Sequence, residues 1–193
     1  FILNNANEAA RLDDPNYDIR RDVFGNLGDD LIGYEKRPAG SSLTNLDAAP
    51  ALYLLSSPQP DKLAASLRGL FAILTPEGGN PKSREFLGRR IFSFSLPGTI
   101  GGGAGQKLNY VAAGGYVAFS LDEKMLEEYL RSSDSPARAL RERAGFTAAV
   151  GKIGGATQGW LAFENESENI RVIMEALAAS ASNPNRNEFG SVL

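Results

Sequence analysis

Apolar positions along the chain recur with two different periods, and the switches between them outline the elements. Residues 1–17 are polar and interrupted by Pro15, which predicts an arm or loop. Ile19, Val23 and Leu27 then recur at helical spacing, with Asp18 placed as N-cap and Gly28 as a stop. Leu31-Ile32-Gly33-Tyr34 predicts a short strand, and residues 37–50, with two Pro, two Ser and one Gly, a loop. Ala51-Leu52-Tyr53-Leu54-Leu55 is an unbroken apolar run bounded by Pro50 and Pro58, the signature of a strand buried on both faces. Pro60-Asp61 opens a helix whose stripe is Leu63, Leu67, Leu70, Phe71 and Leu74, ended by Pro76 and Gly78-Gly79.

The middle third changes to a period of two. Phe92, Phe94 and Leu96 alternate with Ser93 and Ser95. Residues 108–113 and 116–120 flank Gly114-Gly115, and two glycines supply the positive φ angles of a tight hairpin turn. Ser120 and Glu123 have capping-box spacing at the start of the next helix, with Leu121, Met125, Tyr129 and Leu130 as its buried stripe and Glu127, Glu128 and Arg131 facing water. Ser135-Pro136 opens a further helix through Ala144, stopped by Gly145. Phe146, Ala149, Val150 and Ile153 suggest a short helical segment before Gly154-Gly155. Residues 158–163 predict a last strand. Asn165 and Glu168 cap a final helix with the stripe Ile170, Ile173, Met174 and Leu177, and the tail after Ser180 turns polar. Strands do not alternate regularly with helices. The expected class is α+β: a mainly antiparallel sheet with amphipathic helices packed on one face.

Composition narrows the chemistry rather than the fold. The chain has 193 residues, 42% of them hydrophobic, which suits a globular core. It contains no Cys and no His. Thiol nucleophiles, disulfides, imidazole bases and zinc sites built on Cys or His are thereby excluded. The net charge is −3, with 20 basic and 23 acidic residues interspersed, so no nucleic-acid footprint is expected. No apolar run approaches the ~20 residues that span a bilayer, so no transmembrane segment is expected. The chain opens on Phe1-Ile2-Leu3 without an initiator Met, which reads as a processed form or a fragment.

Candidate chemistry is sparse. The Gly-rich stretch from Gly98 to Lys107 invites comparison with a phosphate loop. Such loops follow a strand and open a helix, whereas a strand follows here, so the segment reads as an inter-strand connection that binds no nucleotide. Asp13-Asp14, Asp29-Asp30 and the Glu164, Glu166, Glu168 set are the carboxylate clusters. None has the turn glycine and distal Glu of a calcium loop, and they read as helix entries and solvated loops. Arg89-Arg90 could clamp an anion but reads as surface charge. Trp160, Tyr53, Tyr110 and Tyr116 could line an apolar cavity, although aromatics on half-buried strands are usually core. Asn165-Glu166-Ser167 is a glycosylation sequon by pattern and a helix cap by position.

Several segments together resemble a family of uncharacterised bacterial proteins, usually predicted to be exported. They are Val23-Phe24-Gly25-Asn26-Leu27-Gly28-Asp29, Pro60-Asp61-Lys62-Leu63, Gly88-Arg89-Arg90-Ile91-Phe92, and Gly115-Tyr116-Val117-Ala118-Phe119-Ser120 leading into Met125-Leu126. The resemblance implies tandem α+β units, spans residues 20–180 and carries over no catalytic residue. Phe189-Gly190-Ser191-Val192-Leu193 echoes Phe24-Gly25-Asn26-Leu27, as the start of a following repeat would.

The expected organisation is a polar arm over 1–17, one α+β domain over 18–180, and a polar tail over 181–193 that begins a further repeat if the echo is one. The expected function is a non-catalytic binding or interaction module of an exported or envelope-associated bacterial protein, periplasmic or extracellular, with an unknown protein or small molecule as partner. A cytoplasmic home fits the absence of Cys equally well. No catalytic, cofactor-binding or metal-ligating residue is nominated, no cofactor is implied, and the ligand-binding residues stay unassigned. The alternatives are a carboxylate-dependent hydrolase and a structural repeat within a longer chain. Two carboxylates facing each other across a cleft at about 5–10 Å would mark the hydrolase.

Overall fold

The computed structural model describes residues 4, 7, 8, 10, 11, 14–36, 49–74, 81–96, 106–133, 144–152 and 166–181. The loops expected within 37–48, 75–80 and 97–105, the helix from Ser135, the strand at 158–163 and the tail lie outside the described residues. The chain falls into two compact units, Phe1–Glu35 with Pro50–Asp134, and Lys36–Ala49 with Ser135–Leu193.

The first unit is built on six strands: β1 (Leu31–Glu35), β2 (Ala51–Ser56), β3 (Lys82–Phe86), β4 (Arg89–Ser95), β5 (Lys107–Ala113) and β6 (Tyr116–Ser120). They form one sheet in the order β1-β2-β6-β5-β4-β3, every neighbouring pair antiparallel. The expected hairpin is present, with Ala113 opposite Tyr116 and both turn glycines at positive φ. A second two-residue hairpin, which the sequence pattern does not predict, sets Phe86 opposite Arg89 around Leu87-Gly88, again with positive φ at both positions. The polar sequence Lys82-Ser83-Arg84-Glu85-Phe86 has no apolar alternation to signal a strand. It becomes one because β4 offers it an unpaired edge.

Helix α1 (Ile19–Asp22) is capped by Asp18, whose carboxylate accepts from the Arg20 and Arg21 N–H groups. It is shorter than the Ile19–Leu27 spacing suggested. A 3-10 turn, Phe24–Asn26, takes over and leaves Leu27 exposed. Gly28 ends the segment for a packing reason, since a Cβ there would clash with the Ser56 hydroxyl. Upstream, Asn7, Glu8 and Ala10 are helical, and Ala10 and Tyr17 are buried in the core where the polar composition suggested an arm or loop.

The class is α+β, as the sequence implied. The two long helices of this unit take one sheet face each, however, not the same one. On α2 (Pro60–Leu74), Leu63, Ala64 and Leu67 pack with Phe94, Tyr110, Ala112 and Val117. On α3 (Glu123–Ser133), Met125, Leu126 and Leu130 pack with Ile91, Val111, Ala113 and Ala118. Val111 and Ala112 alternate between the two clusters, as neighbours on a strand must. An amphipathic stripe states that a helix has a buried side; it does not state which sheet face that side meets.

Ser120 does not form the expected capping box. Its hydroxyl donates to the Ala51 carbonyl at 2.6 Å and accepts from the Asp122 N–H at 3.0 Å, while Asp122 Oδ1 accepts from the Lys124 N–H and caps α3. Leu121 therefore precedes the helix and is exposed, and Leu126 takes the buried place expected of it. The expectation that β2 is buried on both faces also fails. Only Leu52 is fully buried, and Tyr53 is 46% exposed, because α2 and α3 both centre on β5 and β6.

The second unit contributes α4 (Ala144–Lys152) and α5 (Glu166–Ala181). Gly145 lies in the first turn of α4 instead of stopping a helix, at a place where backbone N–H groups have no intrahelical acceptor to lose. On α5 the stripe Ile170, Ile173, Met174 and Leu177 is exposed and Val172 is buried, the reverse of the expected orientation.

Candidate functional site

The sheet is covered at its centre and open at one margin. Five consecutive residues of β5, Asn109 to Ala113, are buried, whereas every residue of β1 is exposed. Leu31 (66%), Ile32 (43%), Tyr34 (52%) and Tyr53 together form an apolar surface on the two outermost strands. By strand alternation Leu31 and Tyr53 lie on the α2 face, and Ile32 and Tyr34 on the α3 face, so the margin is apolar on both sides.

An aromatic row leads inward from it. The register sets Gly33 opposite Tyr53, Tyr53 opposite Phe119, Phe119 opposite Tyr110, and Tyr110 opposite Phe92. Phe92 and Tyr110 stack with centroids 5.0 Å apart, Tyr110 and Phe119 at 6.0 Å, and Phe71 of α2 meets Tyr110 edge-on at 5.4 Å. Gly33 carries no side chain where Tyr53 leans across, and a Cβ there would touch the ring at 3.5 Å. The Tyr110 hydroxyl is buried and has no hydrogen-bond partner among the described residues. Burial pushes its ionisation well above the ordinary phenol range, so it stays neutral.

The backbone at the β1 edge is equally available. The Ser56 N–H donates to the Asp30 carbonyl, which makes Asp30 and Ser56 an inward-facing pair. Antiparallel alternation then points the N–H and C=O groups of Leu31, Gly33 and Glu35 away from β2. Among the described residues no strand pairs with that side. The opposite edge differs. β3 carries Lys82, Arg84 and Glu85, and Arg84 is clamped by Glu123 and Glu127 of α3. The Arg84 and Arg131 guanidinium groups both lie over the Phe86 ring, 5.4 and 4.9 Å from its centroid. Charges along an edge strand discourage pairing with another chain, and apolar residues invite it.

No family model, curated protein or solved structure matches this chain.

An open depression of about 590 Å³ adjoins the start of β1, bordered by Gly28, Asp29, Asp30, Ser56, Gly115 and Tyr116. Asp29 and Asp30 are exposed at its rim and adjacent along the loop, not opposed across a cleft. Asp22, Glu123 and Glu127 are engaged by cations. The Arg21 guanidinium, 2.6 Å away, holds the buried Asp22 carboxyl down to about 2, aided by the Asp18 N–H and Lys62. Arg84, followed by Arg131, lowers Glu127. Among the described residues no group of three acidic side chains converges as a metal site would require. No described helix is long and apolar enough to cross a membrane.

The residues singled out in the sequence scatter. Asp14 closes a local turn by accepting from the Asn16 N–H, and Arg89 and Arg90 are exposed at the start of β4. Lys107 opens β5 opposite Ser95. Asp13, residues 98–105, Trp160, Glu164 and Asn165 lie outside the described residues, as do the side chains of Glu166, Ser167 and Glu168. Tyr53 and Tyr110 do share a surface, the aromatic row, while Tyr116 borders the depression. Sequence spacing marks the β1 residues Leu31, Ile32, Gly33 and Tyr34 only as a strand. The available signal was that their run has no polar alternation, as a strand with one solvated face would have.

Proposed function

We propose that this chain is a non-catalytic interaction module that engages its partner through the β1–β2 margin of the sheet. One observation carries the reading: an edge strand with outward hydrogen-bonding groups and exposed apolar residues on both faces, in a sheet whose other edge is guarded by charge. Edges of this kind bind by strand addition, in which main-chain hydrogen bonds give affinity and alternate side chains give selectivity. The resemblance to exported bacterial proteins suggests an exported or envelope-associated setting for it.

The test is a photo-crosslinking amino acid placed at Tyr34, with a control at Glu85 on the opposite edge, in cells that produce the chain. Adducts from position 34 and none from 85 are expected. No adduct from 34, or equal yields from both positions, would overturn the reading.

A further inference from the structure

We infer that the segment from Asp14 to Gly28 is a detachable strap, which lifts off α2 as one unit while the sheet, α2 and α3 stay folded. Its hydrogen bonds are mostly its own. The Asp18 carboxylate accepts from the Arg20 and Arg21 N–H groups, Asn26 Nδ2 donates to the Asp22 carbonyl at 2.8 Å, and the Arg21 guanidinium donates to the Asn16 carbonyl. The buried Asp22 carboxylate is held from within the same segment, by Arg21 at 2.6 Å and the Asp18 N–H at 2.9 Å. Upstream, Asn7 accepts from the Ile19 N–H and Arg11 donates to the Tyr17 carbonyl, so both go with the strap. Among the described residues, few polar contacts reach α2 or the sheet. They are the Tyr17 hydroxyl on the Ser66 carbonyl at 3.3 Å, Lys62 Nζ 3.8 Å from Asp22, and the Gly28 N–H on the Ser56 carbonyl at 2.7 Å.

The side of α2 beneath the strap is of a kind that stands in water. Tyr17 and Asp22 meet α2 at Lys62, Ser66 and Gly69, polar or small residues that recur at i, i+4 and i+7. The apolar stripe of the same helix keeps its place on Phe94, Tyr110, Ala112 and Val117 of the sheet. Lifting the strap therefore strands little. Asp22 leaves with its own cation, so no buried charge is left bare, and the Lys62 side chain is already 49% exposed. What holds the strap closed is apolar: Ala10, Tyr17, Ile19 and Val23 lose their burial when it lifts. Such an opening is rare, yet it costs less than unfolding the sheet. The hinge is Asp29-Asp30. Both residues are exposed, and the Ser56 N–H on the Asp30 carbonyl keeps β1 with the sheet.

Native-state hydrogen exchange, followed by NMR on the full chain across a denaturant series, reads this opening directly. The Asp22, Val23 and Asn26 amides each donate within the strap. They should exchange through one shared opening, with a shallower dependence on denaturant than the β5 and β6 amides show. Val111→Ala separates that opening from global unfolding. Val111 is fully buried in the α3 cluster, which holds no strap residue. The substitution should speed exchange of the β5 and β6 amides at least about tenfold and leave the three strap amides at their wild-type rates. Ile91→Val, in the same cluster, repeats the comparison with a milder change should Val111→Ala fail to fold. Equal acceleration of both sets, or one common denaturant slope, overturns the inference, because the strap then opens only when the whole unit unfolds. Strap amides that exchange without protection overturn it as well, since the segment then has no docked state to leave.

Discussion

Two hairpins in the same sheet have the same backbone turn and opposite surroundings. The β5–β6 hairpin turns at Gly114-Gly115, with φ of 58° and 86°, and the β3–β4 hairpin at Leu87-Gly88, with φ of 49° and 70°. Positive φ at both central residues defines the type I′ turn, whose twist suits antiparallel strands. In the first hairpin glycine adopts that backbone freely. In the second a leucine is held there, at a cost of roughly 1–2 kcal/mol for a residue with a Cβ. The anchoring differs too. Around β5–β6, buried polar groups tie strands together: Ser120 bonds across to Ala51 of β2, and Asn109 takes a hydrogen bond from Ser93 of β4 and reaches back to the Ser120 and Leu121 carbonyls. The β3 strand is tied to α3 by exposed ion pairs between Arg84 and two glutamates. A buried hydrogen-bonding group leaves a stranded partner when removed, whereas an exposed ion pair surrenders to water.

The largest effect should come from Ser120→Ala. It leaves the half-buried Ala51 carbonyl and the Asp122 N–H without their partner on the buried Ser120 and is expected to cost about 1–3 kcal/mol, read as a fall of several degrees in a thermal melt. A loss confined to α3 helicity would instead assign Ser120 a purely capping role. Next come the turns, where substitutions should act with opposite signs. Gly114→Ala meets both the positive φ and the Tyr129 hydroxyl, 3.3 Å from the new Cβ, and should destabilise by about 1–2 kcal/mol. Leu87→Asn should stabilise by about 0.5–1 kcal/mol, because Asn tolerates the left-handed region that Leu resists. Equal signs at the two turns would remove the contrast between the hairpins.

The smallest change belongs to Arg84→Met. Its difference from wild type should fade at about 1 M salt, where the screening length falls to roughly 3 Å. The same variant has a proton signature. In the wild type, Arg84 holds the Glu127 carboxyl below its ordinary value. A carboxyl lowered in the folded state contributes stability above its unfolded value and loses it as the pH falls through the folded one. In Arg84→Met the Glu127 titration, followed by carboxyl carbon NMR shifts, should move up toward the ordinary range. An unmoved titration would assign the shift to Arg131 instead.

Local chemistry alone determined much of this protein. The glycine pair that turns β5 into β6, the Leu63 and Leu67 stripe of α2, the Phe92 and Phe94 alternation of β4, and the Asp18 cap of α1 all depend on residues within a few positions of each other. Sequence spacing displays such interactions directly. The tertiary structure decided what depends on distant partners. Lys82–Phe86 is a strand only because β4 lies beside it, and Tyr17 is buried only because α2 covers it, its hydroxyl donating to the Ser66 carbonyl. The choice of sheet face by α2 and α3 belongs here too, since a hydrophobic stripe fixes that a face is buried and leaves its counterpart open. So does the candidate surface. Leu31, Ile32 and Tyr34 have the residue types of a core strand, and only the strand order, which puts β1 outermost and leaves the helices over β5 and β6, turns them to the solvent.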